Sequence, residues 1–258
     1  MNQQLQEHIF KVGLLACVPT GTQTEMLSAV QALVKGGICG VIVPFGESTK
    51  ALLEALRAQY QQLLIGVQGS YEQTGDLCVN ERTFAVDEVA PARELANFCL
   101  RQGDNLMNDA VILAQCGNNI VQTSDMKQQA WERITTRAQR AIEELLGFEL
   151  RHVGINHPTA QQADQTAAQF EHLFGFAKTD KGGAYFAGPY IESMKKMFYG
   201  THGHIAIATA NAQRAAFYLA QRGAQFNWKS ADYNPDGTLR VVYLQDEIGG
   251  FAVHILQK

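Results

Sequence analysis

Two histidines stand in sequence settings of the same form. One lies in Arg151-His152-Val153-Gly154-Ile155-Asn156, the other in Gly203-His204-Ile205-Ala206-Ile207-Ala208-Thr209. Each stretch reads as a short strand. Side chains alternate across a strand, so His204, Ala206 and Ala208 share one face while Ile205 and Ile207 take the other. An imidazole in mid-strand among small residues looks out of an open, polar sheet face, where a ring nitrogen can take a divalent metal ion. A lone mid-strand histidine is more often a hydrogen-bonded structural residue. The recurrence lifts these two above that ordinary role.

The elements that must position them recur as well. Leu150–Asn156 reads as a strand, and Thr159–Phe174 as a helix with Ala163, Ala167, Phe170 and Leu173 at near-helical spacing. Short strands follow at Ala177–Lys181, Ala184–Ala187 and Tyr190–Met194. A second copy opens at His204–Thr209, with a helix from about Ala210 to Arg222. Its strands are expected at Asn227–Ala231, Thr238–Leu244 and Gly250–Leu256, and Asn234-Pro235-Asp236-Gly237 is a strong turn between two of them. Each copy is βαβββ. Two such units side by side make an incomplete, curved barrel with a concave face.

This pattern resembles the vicinal oxygen chelate superfamily, which includes glyoxalase I and the extradiol dioxygenases. The resemblance covers nearly all of 150–258. It is strongest in Arg151-His152-Val153-Gly154-Ile155, Gly203-His204-Ile205-Ala206-Ile207 and Gly249-Gly250-Phe251-Ala252-Val253-His254-Ile255. It implies metal ligands on the first and last strand of each copy: His152 and His204 on the first strands, Glu192 and His254 on the last. Three imidazoles and one carboxylate suit a divalent metal ion, with Zn, Fe, Ni, Co and Mn all compatible. The ion and one carboxylate would leave a centre of about +1, matched to an anionic oxygen ligand. The implied chemistry is metal-assisted enolisation, isomerisation or lyase chemistry on a small 2-oxo or hydroxy acid through an enediolate, with Glu192 as the catalytic residue that moves the proton. The departure from the family is His254, where a carboxylate is the common choice.

The first half reads differently. Val12–Val18, Ile38–Pro44 and Leu63–Val67 are apolar runs of strand length. Between them lie helical patterns carrying Met26, Leu27, Val30, Leu33 and Val34, then Leu52, Leu53 and Leu56. This β-α-β-α-β order marks a parallel sheet. Glu72–Glu88 is expected as loop and Ala90–Arg101 as helix. Val111–Ala114 is left open between strand and helix. One long helix is expected from Ser124 through Leu146.

Three stretches here resemble the opening units of the 2-keto-3-deoxy-6-phosphogluconate / 4-hydroxy-2-oxoglutarate aldolases, which are (β/α)8 barrels. They are Gly13-Leu14-Leu15-Ala16-Cys17-Val18, Ala32-Leu33-Val34-Lys35-Gly36-Gly37-Ile38 and Leu64-Ile65-Gly66-Val67-Gln68-Gly69. Ala130-Trp131-Glu132-Arg133-Ile134 resembles the start of the helix that closes those barrels. Such an aldolase needs a desolvated strand lysine. The first half offers only Lys11, Lys35, Lys50 and Lys127, of which Lys11 is expected at a strand edge and the others on helices or at their ends. The family's general-base glutamate falls at Val43. A full barrel takes about 200 residues or more, and this half ends at 149. The expected fold is therefore α/β for 1–149, a truncated (β/α) barrel-like domain without its chemistry, and α+β for 150–258. Two alternatives stand beside the metalloenzyme: an active aldolase, and a non-catalytic small-molecule-binding protein.

The bulk numbers fit two globular domains: 258 residues, 46% hydrophobic and 18% charged. A net charge of −4 without a Lys/Arg run argues against nucleic acid, and no apolar run suits a membrane span. Five cysteines without a CxxC pair, all in the first half, read as reduced thiols in a cytoplasmic protein. Incomplete barrels leave strand edges that need cover, so a homodimer is expected. His157 and His172 read as helix-entry and helix-surface residues, His202 as preceding its strand, and Lys195-Lys196 as a solvated pair that could edge an anion-binding cavity. Tyr185, Phe186 and Tyr190 read as core or cavity wall.

Overall fold

In the computed structural model, residues 3–69, 83–85, 92–94, 111–114 and 120–258 are described. The chain divides into two compact units, Met1–Leu145 and Leu146–Lys258.

The first unit holds a six-stranded sheet built from β1 (Leu14–Cys17), β2 (Gly40–Val43), β3 (Leu64–Val67), β4 (Thr83–Ala85), β5 (Ala92–Glu94) and β6 (Val111–Ala114). Its order is β4-β3-β2-β1-β6-β5, and every pairing is parallel. Successive strands therefore pair around the sheet, β6 pairs back to β1, and among the described residues nothing joins β4 to β5. β2 and β3 are buried along their whole length, as continuous apolar runs require in a covered parallel sheet.

Several expectations need correction. Val12 ends a helix, α1 (Gln3–Val12), which buries Leu5, Ile9 and Val12 at i, i+4 and i+7. The polar run before the first strand hides that stripe, and Lys11 lies in its last turn. The stretch expected as loop contains β4. The helix expected over Ala90–Arg101 contains β5; the rest of that span lies outside the described residues. The single helix through Leu146 is two, α4 (Thr123–Lys127) and α5 (Trp131–Leu146), separated where Gln129 takes a left-handed φ of 53°. Lys35 ends α2 (Gln23–Lys35), Lys50 lies in α3 (Thr49–Gln59) and Lys127 ends α4. All four lysines of this half thus sit on helices.

The second unit contains β7 (Glu149–Asn156), α6 (Ala160–Phe174), β8 (Lys178–Asp180), β9 (Ala184–Ala187) and β10 (Ile191–Met194). The same order then repeats as β11 (Gly203–Thr209), α7 (Ala212–Gln221), β12 (Phe226–Tyr233), β13 (Leu239–Leu244) and β14 (Phe251–Gln257). Both helices begin with a side-chain cap: Thr159 accepts from the Gln162 N–H and Asn211 from the Arg214 N–H. All eight strands form one sheet in the order β12-β13-β14-β11-β7-β10-β9-β8. In each copy the first strand pairs in parallel with the last, β7 with β10 and β11 with β14. The copies join where β7 meets β11 in antiparallel register. The sheet is thus mixed and the second unit α+β, beside an α/β first unit.

In the first unit α2 ends in close packing against α5. A Cβ built on Gly36 would lie 2.4 Å from the Ala138 Cβ and 2.8 Å from the Thr135 carbonyl oxygen. Gly36 has φ −80°, which any residue adopts, so the constraint is purely steric. Gly36→Ala should lower unfolding stability by about 1–3 kcal/mol, the usual cost of overpacking. Urea denaturation followed by circular dichroism measures this.

Candidate metal centre

Sheet register decides which side chains meet. Residues directly opposite one another on neighbouring strands share a face. One row across the sheet reads Thr179, Phe186, Glu192, Gly154, His204, Ala252. The adjacent row on that face reads His152, Ala206, His254, Tyr243, Asn227. Each row places two chemically active side chains two strands apart, on the order of 9–10 Å between their backbones. In both rows the strand between them carries a small residue. Glu192 and His204 lean together over Gly154, and His152 and His254 over Ala206.

Three of the four side chains expected from the sequence, His152, His204 and His254, come together, and the fourth, Glu192, contacts the first two. The Nε2 atoms of His152 and His204 are 3.2 Å apart, and each lies 3.0 Å from Glu192 Oε2. A ring nitrogen of His254 completes a set in which one nitrogen from each of the three histidines lies within 4.8 Å of the others. These three histidines could hold a metal ion. Donor atoms about 2.0–2.2 Å from a common ion stand roughly 3.0–3.5 Å from one another, so the tight triangle of His152, His204 and Glu192 has ligand spacing. A second observation points the same way. Both ring nitrogens of His254, and Nδ1 of His204, are buried without a hydrogen-bond partner. Each such atom costs about 1–3 kcal/mol unless something meets it. The donor set fits a divalent cation, which would meet one ring nitrogen of His254 beside those of His152 and His204; a single ion cannot also meet the second His254 nitrogen or His204 Nδ1.

The face is not open, as the sequence had implied. His204 is 2% exposed, His254 5% and Ala206 0%. Burial sets the charge states. It is the main cause that drives the His254 imidazole down to about 3, helped by His204 and His152 and opposed by Glu192, so the ring is neutral at pH 7. Burial alone would raise Glu192. Hydrogen bonds from His152 and His204 outweigh it and bring the carboxyl down to about 2, so it is ionised.

Sequence reasoning missed the residues that make room. A Cβ on Gly154 would meet the His204 ring at 2.0–2.4 Å, so the ring lies flat across a position only glycine can fill. The available signal was the small residue two places after each histidine, Gly154 and Ala206. Tyr243 was missed too. Its ring stacks on His254 with centroids 4.6 Å apart and an interplanar angle of 31°. Burial first, then the charge of Glu192, pushes its phenol up, so it stays protonated. Tyr199 lies 4.9 Å from Tyr243 and Phe198 6.3 Å, centroid to centroid. Asn156 holds that segment by donating from Nδ2 to the carbonyls of Phe198, Tyr199 and Gly200. Thr201 donates from its N–H and its hydroxyl to Glu247.

The other candidates fall away from the cluster. His157 contacts Thr166 across from its strand, and His202 packs against Phe251. Lys195 is held by Asp180 at 2.6 Å and lies over the Tyr185 ring. Phe186, by contrast, packs against the cluster, edge-to-face with His152 at 5.9 Å.

No protein-family model and no curated protein matches the chain significantly. Among solved structures, it is similar to hypothetical protein BH1468 from Bacillus halodurans C-125, at 16% identity and TM-score 0.32, covering 43% of this chain and 94% of that one. A methylmalonyl-CoA epimerase matches at 14% identity and TM-score 0.31, covering 42% and 93%. A KDPG aldolase from Legionella pneumophila matches at 14% identity and TM-score 0.39, covering 54% and 98%. No helix among the described residues is long and apolar enough to cross a membrane.

Two outcomes follow from this geometry. Gly154→Ala should displace the His204 ring or open the β7–β11 pairing, with a stability loss of about 1–3 kcal/mol. In the metal-free protein the His204 ring resonances in a proton–nitrogen NMR spectrum should move with it. The second outcome concerns pH. His254 has an ordinary value of 6.5 and Glu192 of 4.5, and folding lowers both. The unfolded chain therefore binds more protons, and stability must rise with pH and drop as the solution is acidified. The His254 contribution is lost from about pH 6.5 downward and that of Glu192 from about 4.5 downward. Urea midpoints of metal-free protein should drop steadily from pH 7 to 4. His254→Phe should flatten the part of that slope between pH 6.5 and 4.

Proposed function

We propose that the second unit is a divalent-metal centre held by His152, Glu192, His204 and His254, in a fold of the vicinal oxygen chelate type. We read the chain as a metal-dependent enzyme of the lyase or isomerase kind, acting on a small 2-oxo or hydroxy acid. The observation that carries this reading is the close triangle of His152 Nε2, His204 Nε2 and Glu192 Oε2, completed by a buried, unpartnered His254.

A bound divalent ion would supply Lewis-acid polarisation of a carbonyl or hydroxyl oxygen. The rest falls to the chain's own residues. His254 is neutral and has no internal partner, so its lone pair is available without a proton first having to leave. Among the described residues Glu192 is the one carboxylate in contact with the histidine pair, and it is the group we assign to carry a proton. While both imidazoles donate to it, it is a weak base. Glu192 would serve as the base only with its carboxylate detached from a bound ion and free of the two imidazole hydrogen bonds. Tyr243, protonated and stacked on His254, can donate to a developing oxyanion. Phe186, Tyr199 and Tyr243 form an apolar wall that limits water.

The first unit contributes no Schiff-base chemistry in this reading, because its four lysines all lie on helices. We read it as an aldolase-like scaffold, with the chain cytoplasmic and homodimeric.

Isothermal titration of chelator-treated protein with Zn²⁺, Co²⁺, Ni²⁺, Mn²⁺ and Fe²⁺ should show one tight site per chain. His204→Ala should weaken it by at least roughly 100-fold. With metal bound, the protein should catalyse exchange of solvent deuterium into the carbon next to the carbonyl of a small 2-oxo acid, and Glu192→Gln should abolish it. Failure to bind any of these ions sinks the proposal. Metal binding without exchange would support a non-catalytic binding protein instead.

A further inference from the structure

Charge near the cluster is unevenly spent. Lys178, Lys181 and Lys195 lie on or beside the hairpin formed by β8 and β9. Lys178 Nζ is 2.9 Å from Asp164 on α6. Lys195 Nζ is 2.6 Å from Asp180, which also accepts from the Gly182 N–H. Both ammonium groups lie over the Tyr185 ring. Tyr185 pairs with Ser193 on β10, one residue from Glu192, so it faces away from the cluster. Two of the three lysines are thus neutralised on the face turned away from the histidines.

Lys181 is different. No carboxylate lies within ion-pair distance of it among the described residues. Its ammonium sits over the Phe186 ring, 4.6 Å from the centroid. Phe186 shares the row of Glu192 and meets the His152 ring edge-on. Lys181 therefore reaches over the rim of the cluster face. Asp180, its neighbour in sequence, is the acid that would have compensated it, and Lys195 has taken that acid. The equivalent turn of the second copy, between β12 and β13, carries Asp236 instead, hydrogen-bonded to Thr238. Glu247, at the Thr201 segment, is held by that residue's N–H and hydroxyl.

These charges are separate and each is single. A divalent ion with one carboxylate and three neutral imidazoles leaves about +1 at the centre. Lys181 adds +1 at the rim. We propose that the substrate is a dianion, a small 2-oxo or 2-hydroxy acid with a second carboxylate, and that Lys181 is the specificity-determining residue that holds that second carboxylate. One ammonium matches one carboxylate, whereas a phosphate would bring nearly two charges to it. The inference rests on the metal-centre reading of the same site.

The test is binding to Zn²⁺-loaded protein by isothermal titration, after metal stoichiometry has been measured separately. The probes are 2-oxoglutarate and 2-oxoadipate against 2-oxopentanoate, which has the five carbons of 2-oxoglutarate but ends in a methyl group. The diacids should bind roughly tenfold or more tightly than the monoacid. Lys181→Met should remove that preference while leaving metal stoichiometry and 2-oxopentanoate affinity unchanged. Lys196→Met removes the same charge from an exposed neighbour and should leave the preference intact. Equal binding of diacids and monoacid, no binding of any acid to the loaded protein, or a preference that survives Lys181→Met overturns the inference while the metal centre stands. A protein that takes up no metal overturns the metal-centre reading first, and this inference with it.

Discussion

The antiparallel register between β7 and β11 is the constraint on which the second unit depends. It sets Gly154 opposite His204 and Ala206 opposite His152. A slip of one residue would send every one of these side chains to the other face of the sheet. The register is defended from both sides. Gly203 takes φ 130° and approaches Gly154 so closely that a Cβ there would lie 2.0 Å from its carbonyl oxygen. Just past His152 the pairing shifts at Ala206/Ile207, so Arg151 is accommodated as an irregularity beside the cluster. Such irregularities bend a strand and re-aim its side chains. Two glycines and one alanine thus do as much to build the cluster as the residues that could bind an ion.

That arrangement has an energetic cost. Buried imidazole nitrogens without partners work against folding, and the protein keeps three of them in one place. Neighbouring structure carries the burden: side-chain caps on both helices, three carbonyls gathered by Asn156, and aromatic packing from Tyr243 on one side and Phe186 on the other. Groups that oppose folding and yet converge are where function is expected, because nothing structural rewards them. The aromatic contacts also explain why the histidine rings hold their places with few hydrogen bonds. Tyr243 supports the His254 ring, and Phe186 supports the His152 ring edge-on.

Much of this could be read from the sequence, for reasons that differ by region. In the second unit the element order was legible because strands and helices alternate cleanly and turns carry Gly, Pro, Asn and Asp. His152 and His204 stood out because they occupy equivalent places. Glu192 and His254 could be named only by resemblance, since nothing local distinguishes them. The buried character of the face was not legible, because it depends on contacts such as those of Phe198 and Tyr199 with Tyr243, and that segment is held by Asn156, which is remote in sequence. Gly154 looked like ordinary strand punctuation; its role needs the position of a ring 50 residues away. In the first unit the apolar strands β1 to β3 were plain, but α1 was hidden by its polar face and β4 and β5 by their short, mixed sequences. The break between α4 and α5 lacks a Gly or Pro, and its left-handed residue is a glutamine, so pattern alone ran through it.

The two copies of the unit have diverged most in charge. The first contributes Glu192 to the cluster and the second His254, at corresponding places in the last strand. Had both been carboxylates, a divalent ion would be neutralised and the centre would favour neutral ligands. With a single carboxylate, a bound divalent ion would keep a residual positive charge, and the His254 imidazole is buried deeply enough to stay neutral. The turns diverge in the same sense, with Lys181 in the first copy and Asp236 in the second. The pseudo-symmetric sheet thus carries different side chains at corresponding places in its two halves. A ligand with distinct ends can be oriented only when the two halves of a repeated fold differ. Here the differences lie in a few side chains while the backbone register that brings them together is preserved.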